Sequence, residues 1–418
     1  MTLVLRNVRP WGGDAADVTL DGGVIAAVGP VTPAGAAAAD ASPAGVAAGS
    51  YSGAPAVVEG RGRILLPSFS DVHVHLDSTR LGLPFRPHTG APGVWNMMLN
   101  DRHNWRDAEA SVAERATLTL GAMIERGTTR VRSYAQVDVD AGLKRFEGVL
   151  AAREAHQDRA DVSVIAFPQA GLLREAGSSE VLEEALRLGA DVVGGIDPCA
   201  LDRDPVRHLD IVFGLAEKYS LPVDIHLHEP GQLGLFSAQL ILERTKALGM
   251  QGLVTISHGY GLADLPAGQL QELIDEMGAL DVSMATIAPA GAPLPLQQLA
   301  SAGVRVGLGQ DGQRDYWSPY GNADMLDRTW QLAFTSKFRA DELIEHCVAV
   351  ATVGGSSVID PAAARLTSVA DRPGLAAGDP AELVLVEGDT VTAAVMDRLP
   401  GRTVIHRGKV VADGLQLA

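Results

Sequence analysis

The sequence predicts an α/β fold: a (β/α)8 TIM barrel with a small β-sandwich domain built from both chain termini. Three observations point to it. Eight short β-rich or apolar runs recur through the middle of the chain, segments of helical period separate them, and both ends revert to short strands broken by Gly-containing turns. The expected division is a sandwich from residues 1–62 plus 368–418 and a barrel over 63–367. An open, doubly wound sheet is the alternative arrangement of the same elements.

At the N-terminus, TLVLRNVRP and DVTLDGGVIAAVG alternate in the manner of a small antiparallel sheet. From Pro30 to Gly60 the chain is so rich in Ala, Gly, Pro and Ser that a packed core is not expected there, and the stretch reads as a surface excursion. The eight runs follow: SDVHVHL, TTRVRSY, DVSVIAFPQ, ADVVGGID, PVDIHLHE, LVTISHG, DVSMATIAP and VRVGLGQD. Between them, EVLEEALRLG, PVRHLDIVFGLAEKYS, FSAQLILERTKALG and GQLQELIDEMGAL carry apolar residues three and four apart, the mark of amphipathic helices. At the C-terminus, AELVLVEGD and TVIHRGKVVADG restore the strand texture, the second as a hairpin around Arg407 and Gly408.

The totals bound the function. With 418 residues, 46% hydrophobic and 20% charged, the chain has the composition of a soluble globular protein, and no uninterrupted apolar run approaches the length of a membrane span. A net charge of −17 disfavours nucleic acid and anionic membranes as partners, since both reward basic surfaces. A small molecule or another protein remains as partner, and a homo-oligomer is compatible with the sequence. The start MTLVLRNVRPWGG has no secretory character, so the expected location is cytoplasmic. Cys199 and Cys347 lie far apart and form neither a disulfide framework nor a zinc knuckle.

A barrel gathers its chemistry at the C-terminal ends of its strands. There the sequence puts His73 and His75 after the first run, Gln169 after the third, His226, His228 and Glu229 after the fifth, His258 after the sixth and Asp311 after the eighth. A single strand-end histidine is usually a local hydrogen-bonding group, but this many aimed at one mouth form a constellation. His73, His75, His226 and Asp311 suit one divalent ion, zinc or iron, with a position left for water. Such an ion lowers the pKa of its water toward neutrality and supplies hydroxide. Glu229 is positioned to carry a proton from that water to a leaving nitrogen, and His258 to orient the water or stabilise charge. His228 shares the side of His226 by the period of two, or else faces a loop. His103, His156, His208 and His346 fall in helical or loop segments and are left outside the site. A bridging lysine for a second ion is not in place, because Lys144 and Lys218 lie in helix-like segments.

The motifs PSFSDVHVHLD, VDIHLHE, TISHG and LGQD, in that order, resemble the amidohydrolase superfamily of metal-dependent hydrolases. Within it the chain most resembles the cytosine deaminases, through VSVIAFPQAGLL, SEVLEEALRLGADVVGGI, AEKYSLPVDIHLHE and RDYWSPYGNADML. The resemblance implies hydrolytic release of ammonia from an amino-substituted, pyrimidine-like ring, with Gln169 binding the ring edge and Trp317 shaping the pocket. Three departures set the chain apart. The family's His-Asp-Asp is here Gln310-Asp311-Gly312, its Arg-Thr-His is Arg132-Ser133-Tyr134, and its aspartate before the catalytic Glu is His228. These changes are expected around the ring, so the substrate is less defined than the chemistry. Opening of a cyclic amide, hydrolysis of an alkylamino-triazine-like ring, and a non-catalytic binding protein are the alternatives.

Overall fold

The computed structural model describes residues 2–32 and 55–418, so most of the Pro30–Gly60 excursion lies outside the described residues. All eight expected runs are strands: β1 (Phe69–Val74), β2 (Thr128–Gln136), β3 (Asp161–Phe167), β4 (Val192–Ile196), β5 (Val223–Leu227), β6 (Val254–His258), β7 (Ser283–Thr286) and β8 (Val306–Leu308). They pair in sequence order, every pair parallel. The ring closes where Val74, at the end of β1, bridges in parallel to Asp311 beyond β8. Across that seam the Asp311 N–H donates to the His73 carbonyl at 2.7 Å and the His75 N–H to the Asp311 carbonyl at 3.3 Å.

The four amphipathic segments form helices at Ser178–Arg187, Pro205–Tyr219, Gly231–Ala247 and Ala267–Ala279. Their apolar stripes, including Leu182, Leu186, Leu209, Phe213, Ile241, Leu242, Ile274 and Met277, are buried in one core with the outward residues of the strands. One helical stretch, Asp341–Ile359, is long and apolar enough to cross a bilayer by length and composition. Its sequence is interrupted by Glu345 and His346, and Ile344, Cys347, Val350 and Val353 pack into the barrel core.

Strands from both ends of the chain form a second, nine-stranded sheet. Leu383–Val386 pairs antiparallel with Thr403–His406 on one side and Ile64–Pro67 on the other. The latter adjoins Leu3–Pro10, which pairs antiparallel with Ala16–Asp21. Strand alternation divides the side chains. Leu65, Leu383, Leu385 and Ile405 join Leu5, Val18 and Leu20 in a core of their own, whereas Ile64, Leu66, Val384, Val386 and Val404 join the barrel core. The chain leaves this sheet at Pro67 and enters β1 at Phe69.

Candidate active site

Period-two alternation along β5 places Asp224, His226 and His228 on one side of the strand, toward the barrel interior. On β6 the same rule would put Ser257 inward and His258 outward. His258 instead takes a left-handed backbone, φ 68°, which swings its imidazole back toward the mouth. Asp311 (φ 62°) and Asp197 (φ 35°), just beyond β8 and β4, turn in the same way. Such conformations cost a non-glycine residue energy and persist where the surroundings impose them.

The result is a cluster of imidazoles at one end of the barrel. His226 Nε2 and His75 Nε2 are 3.4 Å apart. Asp311 Oδ1 lies 3.5 Å from His73 Nε2 and 3.4 Å from His75 Nε2. The ring of His258 is centred 4.6 Å from that of His73 and 4.9 Å from that of His226. Ligand-capable atoms of His73, His75 and His226, and likewise of His73, His258 and Asp311, all lie within 4.8 Å of one another. Burial lowers the pKa of His73, and burial together with neighbouring imidazoles holds His226 and His258 well below the ordinary histidine value. Burial acts to raise Asp311, but His73, His258 and His75 around it hold its carboxyl well below the usual range.

Imidazoles around a carboxylate are the donor types that a divalent cation takes. The buried nitrogens His73 Nε2, His226 Nδ1 and both of His258 have no hydrogen-bond partner among the described residues. Of these, His73 Nε2 faces Asp311 Oδ1 across the cluster, where a cation would give it a partner. Behind the ligands stands a further layer. His73 Nδ1 is 3.1 Å from Tyr134 Oη, and His75 Nδ1 is 3.8 Å from Asp77 Oδ1. Asp77 in turn faces Arg145, which is paired with Asp101 at 2.5 Å, all of them buried.

His228 lies in the mouth with His226, its ring centred 4.3 Å from that of His258. Its Nδ1 meets Asp197 Oδ2 at 2.8 Å, and its backbone N–H donates to Asp197 Oδ1 at 2.7 Å. Burial pulls this imidazole down, but the charge and hydrogen bond of Asp197 outweigh it, and the net shift is upward. Glu229, expected to carry a proton, rests on the turn after β4. Its Oε1 accepts the N–H groups of Cys199 (2.8 Å) and Ala200 (2.7 Å), its Oε2 accepts from Ser237 Oγ, and its hydrogen bonds include none to the imidazole cluster. Burial raises its pKa. His228, Glu229 and Asp197 line a recess of about 470 Å³ together with Trp95, Arg174 and Leu201. The guanidinium of Arg174 stacks 3.9 Å from the Trp95 ring centre. A larger cleft, about 1180 Å³, is lined at the opposite strand ends by Arg130, Asp161 and Val162, and contains none of the cluster's histidines.

Gln169 is buried in the turn after β3, its N–H bonded to the Phe167 carbonyl at 3.0 Å. Trp317 is half-buried, and its backbone N–H donates to Asp315 Oδ1 at 2.9 Å. Two of the residues expected around the ring lie beneath the cluster instead. Gln310 donates from Nε2 to Asp71 at 3.1 Å, and Tyr134 is fully buried among His73, Asp224 and Ser257. The third, Gly312, has its side-chain space filled: a Cβ there would lie 2.3 Å from Asp315 Oδ2. Burial pushes this carboxyl up to about 6, and it also accepts from Ser78 Oγ at 2.9 Å. The sequence reading missed Asp197, Asp224 and Asp315. Asp224 was findable, since it precedes His226 by two in VDIHLHE; Asp197 and Asp315 required the tertiary contacts.

Comparison with known proteins identifies a family. The Amidohydrolase family profile matches residues 93–412. The uncharacterized protein YahJ of Escherichia coli (strain K12) is 32% identical over 84% of this chain and 75% of its own length. N-isopropylammelide isopropyl amidohydrolase of Pseudomonas sp. (strain ADP) is 28% identical over 85% of this chain and 87% of its own. The crystal structure of N-isopropylammelide isopropylaminohydrolase from Burkholderia multivorans superposes over 100% of both chains, with TM-score 0.87 and 37% identity. With its eight-stranded barrel, its sheet of both termini and its histidine cluster at the mouth, the chain belongs to the amidohydrolase family.

Proposed function

We propose that the chain is a metal-dependent aminohydrolase, cleaving the exocyclic C–N bond of an amino- or alkylamino-substituted, oxo-bearing nitrogen heterocycle. The observation that carries this reading is the convergence of His73, His75 and His226, with Asp311 within 3.5 Å of the first two, beside the His228–Asp197 pair. The four would hold one zinc or ferrous ion, which when bound supplies Lewis acidity and a water activated near neutral pH.

The protein's own groups do the rest. Water adds to the ring carbon and the C–N bond breaks, so one proton leaves the water and one reaches the departing amine. His228, held toward its protonated form by Asp197, is placed for that delivery, while Glu229 is anchored on the Cys199–Ala200 turn and braces the wall beside it. His258 stabilises charge developing on the ring, and Gln169 and Trp317 contact its edge and face. The recess beside Trp95 and Arg174 receives the leaving substituent. Similarity to enzymes named for N-isopropylammelide favours an N-alkylated oxo-triazine. Ammonia release from a cytosine-like ring is the second reading, supported by fold likeness to the 5-methylcytosine deaminase of Klebsiella pneumoniae (TM-score 0.77, 23% identity).

Metal analysis of the purified protein, followed by a panel of amino- and alkylamino-substituted triazinones and pyrimidinones with ammonia and alkylamine detection, tests the proposal. Amine release that requires bound metal and is abolished in His228→Asn supports it. Opening of a cyclic amide with no amine from any ring overturns it. Loss of turnover in Glu229→Gln with full activity in His228→Asn returns proton transfer to Glu229.

A further inference from the structure

The side of the metal cluster away from solvent holds a small polar network that the reaction scheme does not use. Tyr134, on β2, has no exposed surface, and its Oη lies 3.1 Å from His73 Nδ1, 2.9 Å from Asp224 Oδ1 and 2.9 Å from Ser257 Oγ. Ser257 Oγ is itself 2.7 Å from Asp224 Oδ1. Arg132 stands beyond, its Nη1 3.7 Å from Asp224 Oδ2 and donating to Thr255 Oγ1 at 3.1 Å.

Counting protons around this group constrains His73. Tyr134 and Ser257 bring one hydroxyl hydrogen each, and Asp224 Oδ1 is an acceptor whether or not the carboxyl is ionised at Oδ2. Both hydroxyls lie at hydrogen-bond distance from that oxygen, and bonds to a carboxylate are stronger than bonds to a neutral imidazole. With its hydrogen directed to Asp224, the tyrosine has only lone pairs to offer His73. The hydrogen between Tyr134 and His73 must then come from the imidazole. The converse arrangement, phenol donating to Nδ1, would put the imidazole hydrogen on Nε2 and take from Asp224 one of its donors.

We propose that Tyr134 is a positioning residue for metal binding: its oxygen holds His73 in the Nδ1–H tautomer, which leaves the buried Nε2 bare and directed at the cation. His73 Nε2 is the atom that has no partner in the protein and faces Asp311 at 3.5 Å, as a ligand nitrogen would. A partner for the non-ligating ring nitrogen fixes the ring's orientation and tautomer and raises its basicity toward metal. Without Tyr134 the proton is free to move to Nε2 and compete with the ion for that lone pair.

The inference rests on the metal reading above, and the test separates the two. Metal-free protein is titrated with zinc against a chromogenic chelator. Loss of a partner of this kind costs about 10–100-fold in metal affinity, and Tyr134→Phe is expected to fall in that range with its fold retained by circular dichroism. Ser257→Ala removes a hydroxyl from the same carboxylate but leaves Tyr134 bonded to Asp224, and is expected to stay within about threefold of wild type. Affinity of Tyr134→Phe within about twofold of wild type, or equal losses in both variants, overturns the inference. A second readout needs no variant. In zinc-loaded wild-type protein labelled with 15N-histidine, the proton of His73 resides on Nδ1 if the inference holds, and zinc ligation through Nδ1 sinks it. Wild-type protein that binds no divalent cation defeats the metal reading itself, and the inference with it.

Discussion

Gly309, between β8 and Asp311, provides a sharp test of how the barrel seam positions the histidine cluster. A Cβ at this position would lie 2.4 Å from His73 Cβ, 2.6 Å from the His73 carbonyl oxygen and 2.9 Å from its Cα. Real Cβ atoms essentially never come within 3.0 Å, and the obstacles are backbone and Cβ of a proposed ligand, with no flexible side-chain end to yield. In Gly309→Ala, β1 must therefore retreat by at least about 0.6 Å, and overpacking of this kind costs about 1–3 kcal/mol. The same retreat pulls on the 2.7 Å bond from the Asp311 N–H to the His73 carbonyl, so two proposed ligands move together. Displacements approaching 1 Å in a catalytic constellation cost about 100-fold in turnover. Urea denaturation reads the first effect; zinc competition and amine release read the second. Stability within about 0.5 kcal/mol of wild type, with zinc affinity unchanged, would refute the argument that this contact sets His73.

Two further outcomes follow from buried charge. Arg145→Met leaves Asp101 and Asp77 without their shared cation and is expected to cost about 3–5 kcal/mol, most of it recovered in Asp101→Leu/Arg145→Met; purely additive losses would show the pair is not coupled. For His228 the folded-state pKa is raised, so its pairing with Asp197 contributes stability fully below the unfolded histidine value and loses it as pH rises through the folded one. In metal-free protein, the stability gap between wild type and Asp197→Asn should then be wider near about pH 5.5 than near about pH 8.5, and a gap independent of pH would contradict the assignment.

The barrel was legible because two periodicities write it into the chain: β-rich runs at regular intervals and apolar residues three and four apart between them. The clustering of the candidate ligands was legible for a related reason. His73, His75, His226 and Asp311 sit at strand ends, where topology alone brings distant residues together. What parity could not supply was the depth of each side chain. Tyr134 and Gln310 were expected around the ring and lie below the imidazoles, because inward residues of a closed barrel stack in layers and the sequence gives no height. The state of Glu229 was hidden for a different reason. Its donors come from Cys199, Ala200 and Ser237, on the β4 loop and a later helix, and only folding joins them. His258 was placed in the site for its strand end; the left-handed turn that brings it there is not a property any pattern announces.

That turn has an evolutionary consequence. At 197, 258 and 311 the backbone takes left-handed conformations that Gly adopts without the Cβ penalty, so the chain would fold with less local strain if these side chains were lost. A library sorted for stability alone should drift toward Gly at these three positions, yielding sturdier barrels with an emptied mouth. Selection for turnover instead of stability would oppose that drift, so the two kinds of sorting should part at these three positions.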